Sequence, residues 1–118
     1  MTIHCYPLEE PVARSATDCP VEEWLAFLGH RWNACLLWHL STGPKSHGDL
    51  ATRLRGISSR VLAERLVALE ARGIISRTPK ATWPRQVIYA LTDKGQSLVS
   101  IVSMLEPWAR GMADQDEP

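Results

Sequence analysis

Three observations predict a mainly α-helical fold with one small β-hairpin. Residues 56–77 read G-I-S-S-R-V-L-A-E-R-L-V-A-L-E-A-R-G-I-I-S-R, and Leu62, Leu66 and Leu69 fall on one face at helical period. Shorter apolar stretches precede it, 20–28 at the same period and 31–40 apolar almost all round. Two runs rich in β-branched and aromatic residues follow it, Ile74 to Arg77 and Gln86 to Leu91, around a loop that holds Pro79 and Pro84.

Taken in order, residues 1–17 lack periodicity, contain Pro7 and Pro11, and are expected to be a flexible arm that carries Cys5. A first helix should start at Cys19-Pro20, because proline is favoured at the first helical position, where its missing N–H costs nothing. Glu22 and Glu23 then complement the positive helix end, and Val21, Trp24, Leu25 and Leu28 make an apolar stripe. Arg31 to Leu40 reads as a second helix, apolar almost all round, as expected of a buried centre. Cys35 is expected to be inert core there. Ser41-Thr42-Gly43-Pro44 breaks it.

A third helix is predicted from His47 to Leu54, opened by a capping box of Ser46 and Asp49. Arg55-Gly56-Ile57 then links it to a fourth, which Ser58 caps and Gly73 stops. Two helices joined by so short a glycine-containing link have helix-turn-helix geometry. With the hairpin added, whose loop holds Lys80, Trp83 and Arg85, the expected architecture is a winged helix. Thr92 should cap a last helix in which Leu98, Ile101, Leu105, Trp108 and Met112 repeat at 3-4-3-4, a seam too short to hold alone. Pro107 should kink or restart that helix near Glu106. The predicted domain thus spans 18–113, with 114–118 an acidic tail.

At 118 residues and 45% hydrophobic the chain is read as one domain. It has no apolar run long enough for a membrane span, and no secretory signal is expected. Three cysteines at irregular spacing argue against a disulfide framework and for a reducing cytoplasm. The net charge of zero hides an asymmetry. Residues 31–94 hold eleven Lys or Arg against four Asp or Glu, whereas 1–30 hold one against five and 95–118 one against four. A basic middle between acidic ends suggests a polyanion partner for the middle and another task for the ends.

The outward side of the fourth helix carries Arg60, Ala63, Glu64, Val67 and Ala71, small or polar with a cation near its start. That is what a helix lying in a DNA groove needs. Ser58, Ser59, Arg60 and Glu64 are therefore the candidate base readers, since Arg pairs with guanine O6 and N7 and Glu accepts from cytosine N4. Glu64 has the alternative of pairing with a neighbouring Arg. Arg53, Arg55, Arg77, Lys80 and Arg85, with Lys45, are the phosphate candidates, Arg85 first among them as a wing-tip contact.

The sequence resembles the HxlR-type winged-helix transcriptional regulators, relatives of the MarR-like group. The likeness runs from Cys19 to about Trp108. It rests on C-P-V-E at 19–22, R-W at 31–32, G-D-L at 48–50, G-I-S-S-R-V-L-A-E-R-L at 56–66, L-E-A-R-G-I-I at 69–75 and Y-A-L-T-D-K-G at 89–95. The resemblance implies a homodimer closed by the terminal helices, whose paired reading helices enter successive major grooves of a pseudo-palindromic operator. Trp24, Leu98, Ile101, Leu105, Trp108 and Met112 are the interface candidates. Ser46-His47 stands where the family usually has a cation followed by Phe, and the arm with Cys5 is additional to the common pattern.

Cys19 is the candidate regulatory thiol. A helix N-terminus favours the thiolate, and the resemblance adds that redox-sensing members carry a cysteine at the matching C-P position. Oxidation, to a sulfenic acid or an intersubunit disulfide, or with Cys5 as resolving partner, would move the first helix. The alternative for Cys19 is a plain capping residue. His4, Cys5, Cys19, His30, Cys35 and His39 match no common zinc spacing, so neither metal nor cofactor is expected. The leading expectation is a dimeric repressor or activator of double-stranded DNA that answers an oxidant, an electrophile or a small molecule. Two other readings stay open, a winged helix that binds an acidic protein and a regulator holding a flat aromatic ligand in a Trp-lined dimer pocket. A thiol enzyme built on Cys19 ranks last, because no base, phosphate loop or paired acids accompany it.

Overall fold

In the computed structural model, residues 19–116 are described, with side-chain environments through residue 112. Six helices and three short strands follow in the order α1 (Pro20–Leu28), α2 (Asn33–Leu40), β1 (Lys45–Ser46), α3 (His47–Arg53), α4 (Ser59–Ala71), β2 (Ile75–Pro79), β3 (Val87–Leu91), α5 (Asp93–Ser103) and α6 (Leu105–Asp116). The arm 1–17, with Cys5, lies outside the described residues.

The caps read from the sequence are made. Ser46 Oγ accepts from the Asp49 amide at 3.1 Å while Asp49 Oδ2 accepts from the Ser46 amide at 3.3 Å, a reciprocal box. Ser58 Oγ accepts from the Val61 amide at 3.0 Å. Thr92 Oγ1 accepts from the Gly95 amide at 3.1 Å and donates to the Gly73 carbonyl at 2.6 Å, so the cap of α5 is also tied to the end of α4. Gly73 itself stands at φ 75, a left-handed conformation that costs a glycine nothing.

Leu62, Leu66 and Leu69 of α4 meet Leu36, Leu37 and Leu40 of α2, Leu50 and Leu54, and Ile74, Ile75 and Tyr89 in one buried cluster. Each fully buried leucine contributes about 1.5–3 kcal/mol relative to exposure. Phe27, the only phenylalanine, is the buried residue of α1. The strands pair antiparallel in the order β1-β3-β2, with Ile75 opposite Leu91 and Pro79 opposite Val87. The third strand, β1, sits opposite Ile88 and Tyr89 and was not predicted; two residues before a capping box leave no period to read.

Three departures have physical causes. The second helix begins at Asn33 rather than Arg31, because Trp32 adopts φ 80, a left-handed conformation that costs a bulky residue about 1–3 kcal/mol. Asn33 is fully buried and its Nδ2 donates to the Phe27 carbonyl at 2.8 Å, stapling the end of α1 to the start of α2. Cys35 is exposed, not core, and so is Trp38. An all-apolar helix hides which side it buries, and here that side is Leu36, Leu37 and Leu40. The C-terminal segment is two helices, broken at Met104. Pro107 has no N–H for the Ser103 carbonyl and its ring crowds that carbonyl, so α5 stops at Ser103. The second of these helices continues through Asp114 to Asp116, so the start of the acidic tail is helical.

Candidate nucleic-acid interface

The leucine stripe of α4 fixes which side of that helix remains outside. With Leu62, Leu66 and Leu69 buried, Ser59, Arg60, Ala63, Glu64 and Val67 are all exposed. Thirteen residues make a rod about 20 Å long, of a width that the major groove admits. Small side chains at 59 and 63 let the backbone approach base edges. Arg60 Nε donates to Glu64 Oε1 at 3.1 Å, so the two polar candidates form one unit in the free protein. That pair is solvent-exposed and stabilises the helix by only about 0.3–0.5 kcal/mol, so exchange of its partners for base edges costs little.

The cations around this helix come from its neighbours. Arg53 closes α3 and Arg55 stands in the link, where Gly56 at φ 90 makes the sharp turn; both arginines are exposed. Arg77, Lys80 and Arg85 are exposed along the hairpin, whose end is closed by the Lys80 amide donating to the Gln86 carbonyl at 2.7 Å. All nine candidate DNA residues are thus exposed, on α3, α4 and the wing. Lys45 differs. Its Nζ donates to Thr42 Oγ1 and to the Gly43 carbonyl, both at 3.0 Å, and so braces the turn before β1. The hairpin also presents Trp83, 87% exposed between Lys80 and Arg85. An exposed ring between two cations in a proline-bearing loop was visible in the sequence, but nothing there told exposed from packed.

The relatives of the chain agree with this geometry. A family model described as HxlR-like helix-turn-helix matches residues 27–117. The chain belongs to that family. It is 37% identical over 94 residues to the HTH-type transcriptional regulator YodB of Bacillus subtilis, covering 79% of this chain and 84% of that protein. The solved structure of YodB in its reduced form superposes with a TM-score of 0.76 at 34% identity, over 84% of this chain and 98% of the other. The redox regulator HypR in its reduced form gives 0.72 at 33% identity, over 82% and 94%. The protein is a DNA-binding transcriptional regulator with a winged helix-turn-helix, and the family is one of regulators, not enzymes.

A second candidate region lies where the first helix meets the C-terminal ones. Cys19 is the residue before α1; it is buried, its side chain caps nothing, and its sulfur is in a disulfide. From there α1 is bound to the far end of the reading helix. The Arg72 guanidinium lies 4.1 Å from the Phe27 ring centre and 4.8 Å from that of Trp24, and its Nη1 pairs with Glu23 at 3.3 Å. Lys94 of α5 donates to the Arg72 carbonyl at 2.9 Å and sits 5.2 Å from the Trp24 ring. One clasp therefore joins α1, α4 and α5. No sequence signal marked Arg72 beyond its place at a helix end.

The outer side of the same region is apolar and uncovered. Val21 and Leu25 of α1, Ile101 of α5, Met104, and Leu105 and Trp108 of α6 are exposed large hydrophobics, and Met112 joins them. Between α1 and α5 runs an open groove of about 410 Å³ lined by Pro20, Val21, Trp24, Leu25, Leu98 and Ile101. Of the six predicted interface residues, Trp24 and Leu98 are half-buried in this groove and the other four are exposed. Among the described residues no helix is long and apolar enough to cross a membrane.

Proposed function

We propose that the regulator acts as a homodimer that holds two α4 helices about 34 Å apart, one duplex turn, on a pseudo-palindromic operator. The uncovered apolar face of α1, α5 and α6 carries this reading. Val21, Leu25 and Ile101 border one open groove, and Leu105 and Trp108 are exposed on the helix that follows; large apolar side chains left uncovered on neighbouring helices mark an interaction surface. Ser58, Ser59 and Arg60 face base edges, with Glu64 released from Arg60 on docking, while Arg53, Arg55, Arg77, Lys80 and Arg85 neutralise phosphates. The protein works in the cytoplasm with the DNA. Replacement of Arg60 by alanine should lower affinity for the operator, once footprinting has located it, by about 1–3 kcal/mol while random-sequence binding and the dimer persist. Equal operator affinity in the variant removes Arg60 from the reading set.

The same terminal region is proposed to sense oxidants through Cys19. Two thiols, Cys19 and Cys5, lose two protons and two electrons to diamide or hydrogen peroxide and join as a disulfide. The structure, with Cys19 in a disulfide, is the oxidised arrangement, and the change between the two states is passed on through α1, which the Arg72 clasp links to the end of α4. The Cys19→Ser protein should bind DNA as the reduced wild type does and no longer respond to diamide. A full diamide response in that variant assigns the sensor elsewhere.

A second reading has an observation of its own. The α1–α5 groove, lined by the Trp24 ring, is within the usual size of a small-molecule site. A flat aromatic effector seated there would act on the same helices. Release of DNA by such a compound from the Cys19→Ser protein would favour it over the thiol.

A further inference from the structure

Beside the first turn of α4 lies a cleft of about 420 Å³ that borders the assigned readers Ser58 and Glu64 but whose two arginines, Arg31 and Arg65, none of the assigned DNA contacts uses. The α1–α2 turn supplies His30, Arg31 and Trp32 to it, and the reading helix supplies Ser58, Glu64 and Arg65. We propose that this cleft seats one phosphate of the DNA backbone, held by Arg31 and Arg65 at the flank of the reading helix. The seat extends the docking described above and rests on it.

Charge comes first. The cleft brings together a histidine and two arginines, Arg31 and Arg65, that stand more than thirty positions apart in the sequence. Its single carboxylate, Glu64, pairs with Arg60 at 3.1 Å in the free protein and turns to a base edge on docking, so the two arginines outweigh it in either state. Neither Arg31 nor Arg65 has a carboxylate within ion-pair distance among the described residues. Two planar guanidinium forks left open around a concavity suit an anion with several oxygens, such as a phosphate.

Orientation comes second. The Arg31 guanidinium lies 5.0 Å from the centre of the Trp32 ring, a cation–π contact that restricts an otherwise flexible side chain. Trp32 in turn places its ring edge beside Gly56, where a Cβ would meet it at 3.9 Å. Gly56 is the turn of the helix-turn-helix, so Arg31 is held in register with the reading helix although it precedes that helix by a whole helix-turn unit. The left-handed backbone of Trp32 is what brings the two residues to this position. Ser58, which caps α4, borders the cleft, and Ser59 and Arg60 are exposed next to it. A phosphate here belongs to the strand bordering the groove that α4 enters. Such a contact carries no sequence information and fixes the depth and tilt of the helix.

The test measures binding of the full-length protein to a random-sequence duplex at several salt concentrations. Wild type, Arg31→Gln, Arg65→Gln and the double variant are compared, with thermal melting as the control for folding. Each lost phosphate contact should flatten the log–log salt slope by about 0.9, or about 3.5-fold less change in affinity between 50 and 200 mM salt. Arg31→Lys, which keeps the charge, should return most of the slope, whereas an arginine needed only to stack on Trp32 would not be replaced so. Unchanged slopes in both folded single variants overturn the seat and leave the rest of the DNA face standing. Absence of any salt-dependent binding by wild type overturns the seat and the DNA docking together. Inorganic phosphate titrated at constant ionic strength separates the remaining source. Saturable binding that needs Arg31, combined with unchanged DNA slopes, assigns the cleft to a free anion and overturns the backbone assignment.

Discussion

Gly95→Ala is expected to destabilise the fold by about 3 kcal/mol, the upper part of the range for overpacking. The usual expectation is the reverse, because alanine in a helix interior is favoured over glycine by about 1 kcal/mol. Here a Cβ at position 95 would stand 2.1 Å from the Ile74 carbonyl oxygen and 3.1 Å from Leu91 Cδ2. The first of these is backbone and cannot step aside. The Ile74 carbonyl accepts the Thr92 amide at 3.0 Å, so moving it loosens the same cap that starts α5. The close approach of α5 to the end of α4 therefore depends on this glycine. Urea unfolding with unchanged slope and a lower midpoint is the predicted outcome; a midpoint equal to or above wild type contradicts the packing described.

Ile101→Glu is expected to leave the monomer fold intact and to lower operator affinity by about 10²–10⁴-fold, the gain that linking two binding units provides. Ile101 is 64% exposed in the single chain, so a carboxylate there is hydrated and costs the monomer little. In a dimer closed by α1, α5 and α6 it would be buried without a partner, which is expensive. Sedimentation equilibrium should find a monomer and thermal melting a folded one. Random-sequence binding should fall far less than operator binding, because it needs only the basic surface of one chain. A variant that stays dimeric with full operator affinity places the interface on another surface and removes the physical basis for paired half-sites.

The two variants probe different levels of legibility. Helix boundaries were readable wherever a local hydrogen bond sets them. Ser46 with Asp49, Ser58, Gly73 and Thr92 act on amides or turns within a few residues of themselves. The leucine stripe of α4 was readable too, because a helix with one apolar side has only one way to pack. From that stripe the exposure of the candidate readers Ser59, Arg60 and Glu64 follows directly, and the family follows through motifs spread along most of the chain.

Residues whose surroundings come from distant elements were not readable in the same way. The apolar ring of α2 could not tell buried Leu36 from exposed Cys35 and Trp38, since only the positions of α1, α3, α5 and β3 decide it. The Val21–Leu25 stripe of α1 was readable as apolar, yet its inward residue is Phe27 and much of the stripe is left uncovered. Arg72 shows the same limit, its carboxylate and two rings all lying on α1, nearly fifty residues away.

By itself, then, the sequence determined the elements, their caps, the buried face of the reading helix and the class of regulator, because each depends on spacing along one segment. The tertiary structure alone decided what meets across segments. That set includes the Arg72 clasp, the cleft shared by Arg31 and Arg65, the exposure of Cys35, and the glycine on which α5 rests. Burial and charge pairing are properties of neighbours in space, and folding, not spacing, brings those neighbours together.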